Sequence, residues 1–263
     1  MVSKEAEFIY ANCNMSKSIK NIYQLIIVFT AMTITGSIAL ALRIISFGLL
    51  TNFNRKYTIA YSSKFTLWIV GIKLDLPKNN PIPKSNCFIT FNHNSYLDIF
   101  ALTALGYTNT IFLLSEKTLK IIPVTLSALS IGVAYIPQQK HAKRRLNFFI
   151  RLERRILKRQ INVAGASEGV HNHHHGIDRF NRGVYHMAKL CNLNIIPLYI
   201  NVPKESNPFN KYKYFKRGTI KIEKLDTLST DEWTIENLDM HVKNMRDIYV
   251  NMFNQTNEEK VEL

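Results

Sequence analysis

Short apolar runs and stretches of helical period alternate along most of this chain. Cys87–Phe91 is an apolar run broken only by Thr90, and it reads as a buried strand. Tyr96–Leu105 follows with helical spacing, then a strand at Thr110–Leu114, a helix over 118–130 and a strand at Val133–Ile136. A helix over 141–159, a strand at Asn162–Ala164, a helix over 182–191 and a strand at Ile195–Asn201 continue the series. Such alternation predicts one layered α/β domain with a mixed sheet. Residues 219–225 alternate with period two and predict a half-exposed strand, and Thr230–Phe253 predicts a C-terminal helical region. Lys78–Pro83 has the composition of a turn.

The N-terminal part follows a different pattern. Asn21–Leu42 contains no charged side chain, Arg43 closes it, and Ile44–Leu50 extends the apolar stretch. Roughly 20 apolar residues cross a bilayer core as a helix, so residues 21–50 are expected to form a membrane-anchoring helical segment. A signal peptide fits less well, because the apolar region is long and no clear small-residue cleavage site follows. A buried core helix is the bland alternative. Residues 1–20 read as a loose polar tail, 51–253 as the folded domain, opening with an amphipathic run at Tyr57–Val70, and 254–263 as a frayed tail. Lys17 and Lys20 precede the apolar segment, whereas Arg43, Arg55, Lys56 and Lys64 follow it. That excess places the domain on the cytoplasmic face of a membrane.

A formal net charge of +15 calls for an acidic partner. Nucleic-acid motifs are missing: there is no glycine-aromatic RNA-binding run, no zinc-finger spacing and no basic region before heptads. Membrane lipids, or an acidic carrier protein, suit the charge and the apolar segment together. Helix 141–159 carries Lys143, Arg144, Arg145, Arg151, Arg154, Arg155, Lys158 and Arg159 over an apolar stripe. It is either a solvated face or one held against anionic headgroups or a carrier. The three cysteines, Cys13, Cys87 and Cys191, are widely spaced, which argues for a reducing compartment and against a disulfide framework.

Candidate chemistry concentrates in His93-Asn94-Ser95-Tyr96-Leu97-Asp98, directly after the Cys87–Phe91 strand. On a continuous helix, residues five apart lie about 140° apart and do not share a face. They meet if His93 lies in the turn before the helix and Asp98 in its first turn. An aspartate holding one ring nitrogen as N–H leaves the other to take a proton, the arrangement of a general base and its orienter. The competing reading is a helix cap, since Ser95 and Asp98 also fit S-x-x-D.

Further motifs make a resemblance specific. Asn92–Asp98 resembles the H-x-x-x-x-D block of the glycerolipid acyltransferases, the lysophosphatidate acyltransferase-like family. Gly132-Val133-Ala134-Tyr135-Ile136-Pro137 resembles that family's second block. Ser167-Glu168-Gly169 followed by Phe180-Asn181-Arg182-Gly183 resembles the third, and Ile195-Ile196-Pro197-Leu198 the fourth. The resemblance covers about residues 65–225. It implies an α/β acyltransferase domain that moves a fatty acyl group from an acyl thioester, of acyl carrier protein or coenzyme A, to the free hydroxyl of a lysophospholipid in phospholipid biosynthesis or remodelling. It assigns catalysis to His93 and Asp98, and contact with the acceptor to Glu168, Gly169, Phe180, Arg182 and Gly183. It implies no metal and no bound cofactor. The alternative within the family is a catalytically weak adaptor that binds lipid or acyl carrier; the intact dyad distinguishes this chain from it.

The departures are as informative. Ser167 stands where the family has proline, Val170-His171 where it has threonine-arginine, and Gln138 or Gln139 where an arginine ends the second block. Those arginines are expected to hold the acceptor phosphate, and a guanidinium's fixed fork has no equivalent in Gln or neutral His. Arg179, Arg182, Lys140 and Arg144 are the nearby cations that could compensate. His171, His173, His174 and His175 invite a metal, but adjacent loop side chains rarely converge on one ion and no carboxylate or thiolate set completes a site.

Overall fold

The computed structural model describes residues 4–77, 86–169, 176–206 and 216–258. The turn expected at Lys78–Pro83 and the histidines at 171–175 lie outside them. Among the described residues one seven-stranded sheet organises the chain. Its strands are β1 (Ile72–Asp75), β2 (Cys87–Phe91), β3 (Thr110–Ser115), β4 (Ala134–Ile136), β5 (Asn162–Ala166), β6 (Asn194–Asn201) and β7 (Gly218–Lys224). They lie in the order β1-β7-β6-β2-β5-β3-β4. Only β6 and β7 pair antiparallel, and every other neighbouring pair is parallel. The sheet is therefore mixed, as the pattern predicts. β2 is buried at all its positions, which is why it reads as a continuous run rather than an alternating one.

The helices are α1 (Lys4–Ile45), α2 (Thr51–Phe53), α3 (Ile59–Ile69), α4 (Asp98–Ala104), α5 (Ile122–Ile131), α6 (Ala142–Arg159), α7 (Arg182–Leu190) and α8 (Leu238–Glu258). A π turn, Asn54–Thr58, joins α2 to α3. Alternate strand residues face opposite layers: Ile89 packs with Leu67, Leu102 and Ile131 on the side of α1, α3, α4 and α5. Phe88 packs with Ile156, Tyr185 and Tyr249 on the side of α6, α7 and α8.

The main differences from expectation are three helix starts and one strand. α1 is helical from Lys4, so residues 4–20 continue the apolar helix rather than forming a loose tail. α5 starts at Ile122 instead of 118, because Glu116–Lys120 is a 3₁₀ turn and Pro123 sits in the first helical turn, where its missing N–H costs nothing. α8 starts at Leu238 rather than Thr230 and runs to Glu258. Thr234 and Asn237 bond each other's backbone N–H reciprocally just before it, at 3.2 and 2.7 Å. The short edge strand β1 was not anticipated.

The segment Ile22–Ile45 of α1, with mean hydropathy 2.2, is long and apolar enough to cross a membrane. Only 22% of its most apolar window is buried, which argues against the core-helix alternative. One face docks on the domain through Val28, Met32 and Ala39. Thr35 Oγ1 lies 2.8 Å from Ser62 Oγ there, and a Cβ on Gly36 would come within 3.0 Å of Leu126. The other face exposes Ile22, Ile26, Phe29, Ile34 and Ile38. An exposed apolar stripe of that length is what membrane association requires.

Candidate active site

The chain leaves β2 at its C-terminal end through Asn92, which is fully buried. Its side chain accepts from the N–H of Ile200 at 2.7 Å and donates to the carbonyl of the same residue at 2.9 Å. This pins the exit of β2 to β6. The next five residues make the turn into α4. Asp98 is the first residue of that helix and has no exposed surface. Its Oδ2 accepts from His93 Nδ1 at 3.2 Å and from the N–H of Ser95 at 2.9 Å. Ser95 Oγ in turn accepts from the N–H of Leu97 at 3.1 Å. The two readings of S-x-x-D therefore hold together: one carboxylate oxygen secures the turn and orients the imidazole. Burial raises the pKa of Asp98, opposed by its bond to His93 and by the amides of Ser95 and Asn94. His93 keeps a quarter of its side chain exposed, so a reactant in solution or in lipid can reach it. With Nδ1–H directed at Asp98, Nε2 is the ring nitrogen that carries the lone pair.

A second carboxylate sits behind the histidine. After β5, Ser167 donates its N–H to the carbonyl of Phe91 at 2.8 Å, which lays this loop beside the exit of β2. Ser167 Oγ accepts from Tyr185 OH at 2.9 Å, so the hydroxyl that replaces the family's proline is satisfied in the core. Glu168 Oε1 accepts from the backbone N–H of His93 at 3.2 Å. Among the described residues its Oε2 is buried without a hydrogen-bond partner. Burial pushes the Glu168 carboxyl up to about 7, against the pull of the His93 amide and ring. The backbone bond offsets part of the cost of burying this carboxyl.

Gly169 and Asn181 lock this loop to α7. Gly169 has φ +72°, and a Cβ there would fall 2.8 Å from Asn181 Nδ2. Asn181 donates its N–H to the carbonyl of Ser167 and caps α7 by accepting from the N–H of Gly183 at 2.9 Å. Gly169 and Gly183 thus serve the backbone. Phe180, expected at the acceptor, is buried in the core, stacked on Tyr185 and edge-on to Tyr249. Arg182, expected to be the nearest cation to the acceptor, turns toward α8. Its Nε pairs with Asp239 at 3.1 Å and Nη2 donates to the carbonyl of Ile235 at 3.0 Å. The start of α7 presents its backbone to the Glu168 loop and its long side chain to the neighbouring helix. The structure thus brings His93, Asp98 and Glu168 together and leaves Phe180 and Arg182 aside.

The end of the second block is similarly committed. Gln138 donates its N–H to Glu116 Oε1 at 2.9 Å and its Nε2 to Ser115 Oγ at 3.0 Å. Arg144 pairs with Glu116, and Arg179 is exposed. Among the described residues no group of three His, Cys, Asp or Glu converges as a metal site. Sequence reasoning missed Asn92, Asn181 and Tyr249, whose hydroxyl donates to the carbonyl of Thr90 at 3.1 Å. The asparagine before the histidine was a signal for the first: a buried amide at a strand end needs two backbone partners.

Comparison with known proteins bears on the fold and the family. The family model described as Acyltransferase matches residues 73–201. A 1-acyl-sn-glycerol-3-phosphate acyltransferase of Limnanthes alba is 21% identical over 191 residues, covering 70% of this chain and 64% of its own length. The human 1-acyl-sn-glycerol-3-phosphate acyltransferase beta is 25% identical over 149 residues, 56% of this chain and 52% of the human protein. The chain thus spans between about half and two thirds of these relatives' lengths. The crystal structure of the 1-acyl-sn-glycerophosphate acyltransferase PlsC from Thermotoga maritima superposes with a TM-score of 0.63 at 15% identity, covering 90% of this chain and 98% of that one. At that identity the superposition speaks for the fold.

Proposed function

We propose that this chain, whose residues 73–201 match the Acyltransferase family model, is a lysophosphatidate acyltransferase-like O-acyltransferase of glycerolipid synthesis. It would transfer a fatty acyl group from an acyl thioester to the free hydroxyl of a lysophospholipid. The observation that carries this reading is the contact of His93 Nδ1 with the buried Asp98 at 3.2 Å, beyond the C-terminal end of the central strand. In the reaction the acceptor hydroxyl oxygen attacks the thioester carbonyl carbon while His93 Nε2 takes its proton. The carbon–oxygen bond forms, the carbon–sulfur bond breaks, and the imidazolium returns the proton to the departing thiolate. Asp98 holds the tautomer and stabilises the imidazolium. Such base catalysis contributes roughly 10²–10⁴-fold. No covalent acyl-enzyme is required. Glu168 positions the histidine by taking its backbone N–H.

The donor is coenzyme A or acyl carrier protein, and neither requires a bound cofactor. The acceptor is not restricted to lysophosphatidate: Gln138 or Gln139 and His171 stand where the resemblance expects the arginines of the phosphate clamp, and Arg182 pairs with Asp239. Lysolipids with diester or zwitterionic headgroups become substrates. The exposed stripe of α1 attaches the enzyme to a membrane, with the domain on the cytoplasmic face. The test uses purified full-length protein in detergent. One labelled acyl thioester of each donor type is offered a panel of lysolipids with and without a terminal phosphate. Turnover with at least one pair supports the reading; no turnover with any pair overturns it.

A further inference from the structure

At the opposite end of the sheet from His93, a cavity of about 540 Å³ opens where α1 ends. Its lining includes Thr110 and Ile111 at the start of β3 and Ile161 just before β5. Phe88 pairs with Val163 and Phe91 with Ala166. The floor of the cavity is therefore about seven residues of strand below His93, roughly 20 Å away at 3.3 Å per residue. It is not part of the site described above.

Four arginines line it: Arg43 from the last turn of α1, Arg55 from the π turn, and Arg155 and Arg159 from α6. No carboxylate lines it, and none of the four forms an ion pair among the described residues. The π turn sends two consecutive polar side chains inward. Asn54 donates to the carbonyls of Ala39 and Ser130, which fixes the turn between α1 and α5. Arg55, only 9% exposed, donates Nε to the carbonyl of Ile131 and Nη1 to Asn52 Oδ1, both within 2.9 Å. Arg43 donates to the carbonyl of Leu129. The guanidinium groups of Arg43 and Arg55 both reach within 3.5 Å of the point a Cβ on Gly132 would occupy. Crowding of this kind disfavours the charged forms. Arg55 is pushed down to about 10 by burial and by Arg43 and Arg155, and Arg155 is lowered by burial, Arg159 and Arg43. A nearly buried guanidinium with no counter-charge is costly unless an anion joins it.

The rim is apolar. Phe47 is 97% and Leu49 86% exposed. A second, smaller cavity shares Arg43, Phe47 and Gly48 with the first and is otherwise lined by Leu40, Ile44 and Leu129. An anion-binding pocket that opens directly onto an apolar groove is complementary to an amphiphile with a negative head. We propose that this is a binding site for one anionic phospholipid, its phosphate held by the arginines and an acyl chain lying along Leu40, Ile44 and Leu129. Guanidinium forks are suited to the non-bridging oxygens of a phosphodiester. The site is independent of the acyl-transfer reading. It would tie the base of α1 to the lipid that surrounds it, and Gly132, which opens the stretch resembling the family's second block, would serve this end of the sheet.

The test is equilibrium binding of a fluorescent dihexanoyl phosphatidylglycerol to the full-length protein in a neutral detergent. Arg155 and Arg159 are exposed, so the double variant Arg155→Gln/Arg159→Gln is expected to fold. It should raise the Kd at least tenfold, while Arg182→Ala at the other end leaves it within twofold. Unlabelled phosphatidylglycerol should displace the probe at concentrations where inorganic phosphate and dihexanoyl phosphatidylcholine do not. A Kd within twofold of wild type in the double variant overturns the site. Equal displacement by inorganic phosphate would mean a soluble phosphate ligand and overturn the lipid assignment. Equal displacement by phosphatidylcholine would show that charge plays no part.

Discussion

Beyond the C-terminal ends of β2 and β5, His93 stands with two buried carboxylates, Asp98 and Glu168. Below the N-terminal ends of β3 and β5, four arginines share a cavity that no carboxylate lines. Both ends bury charge, but with opposite sign and by different means. The acidic end gives one oxygen of each carboxylate a backbone amide, and adds an imidazole at Asp98. The basic end gives Arg55 one carbonyl and a side-chain amide and gives Arg43 the carbonyl of Leu129, and it leaves Arg155 and Arg159 exposed. The contrast separates net charge from chemistry. A balance of +15 suggests that cations do the work, yet the groups gathered around His93 are acids. The cations best organised by the fold lie at the far end of the sheet.

The comparison can be broken first at Asp98. Asp98→Asn keeps the shape but removes the charge that favours the imidazolium, so turnover should fall on the order of 10²–10⁴-fold, read as kcat with a saturating acceptor. A loss below tenfold would reduce Asp98 to the clasp of the Ser95 turn. Next comes the backbone that joins the two carboxylate loops. Gly169→Ala forces a side chain into φ +72° and onto Asn181. It should cost about 1–3 kcal/mol of stability, seen as a lowered midpoint in denaturant, with reduced turnover because Glu168 moves with it.

Glu168 sharpens the comparison through pH. Its carboxyl is raised from 4.5 to about 7 in the folded protein. Folding therefore takes up a proton between those values. The contribution is fully present below about 4.5 and is lost as pH rises through 7. Glu168→Gln keeps an acceptor for the His93 N–H and carries no charge. Its stability relative to wild type should rise between pH 5 and pH 8, by at most roughly 3 kcal/mol. A pH-independent difference would remove the buried-acid description of this end. The smallest effect is expected at Arg182. Because it is turned to Asp239, Arg182→Ala should change kcat/KM for lysophosphatidate less than threefold. A strong preference for lysophosphatidate that disappears in this variant would show that Arg182 rebuilds the phosphate clamp.

Much of the layered fold was legible because its period is local. β2 reads as a buried strand since both faces are covered, and α6 reads as a helix from its apolar stripe under a basic face. The dyad was legible because a strand end, a turn and a first helical turn are all local, and they bring His93 and Asp98 together without help from distant chain. What was not legible depends on long-range geometry. Phe180 lies twelve residues after Glu168 in a recognisable block, yet it packs on Tyr185 and Tyr249, and only the position of α8 decides that. Asn181, read merely as a neighbour of that phenylalanine, is the residue that joins the Glu168 loop to α7. The arginine cavity assembles Arg43, Arg55, Arg155 and Arg159 from segments with no sequence adjacency. Their charges read instead as topology signals or as one face of α6.

The most direct measurement is turnover of His93→Ala in the full-length protein, with a labelled acyl thioester and a lysolipid that the wild type accepts. His93 lies in a turn and is partly exposed, so the variant should unfold at nearly the wild-type temperature while its turnover falls on the order of 10²–10⁴-fold. Retention of more than a few per cent of wild-type turnover by the folded variant would contradict the assignment of His93 as the base, and with it the acyl-transfer mechanism built on the His93–Asp98 pair.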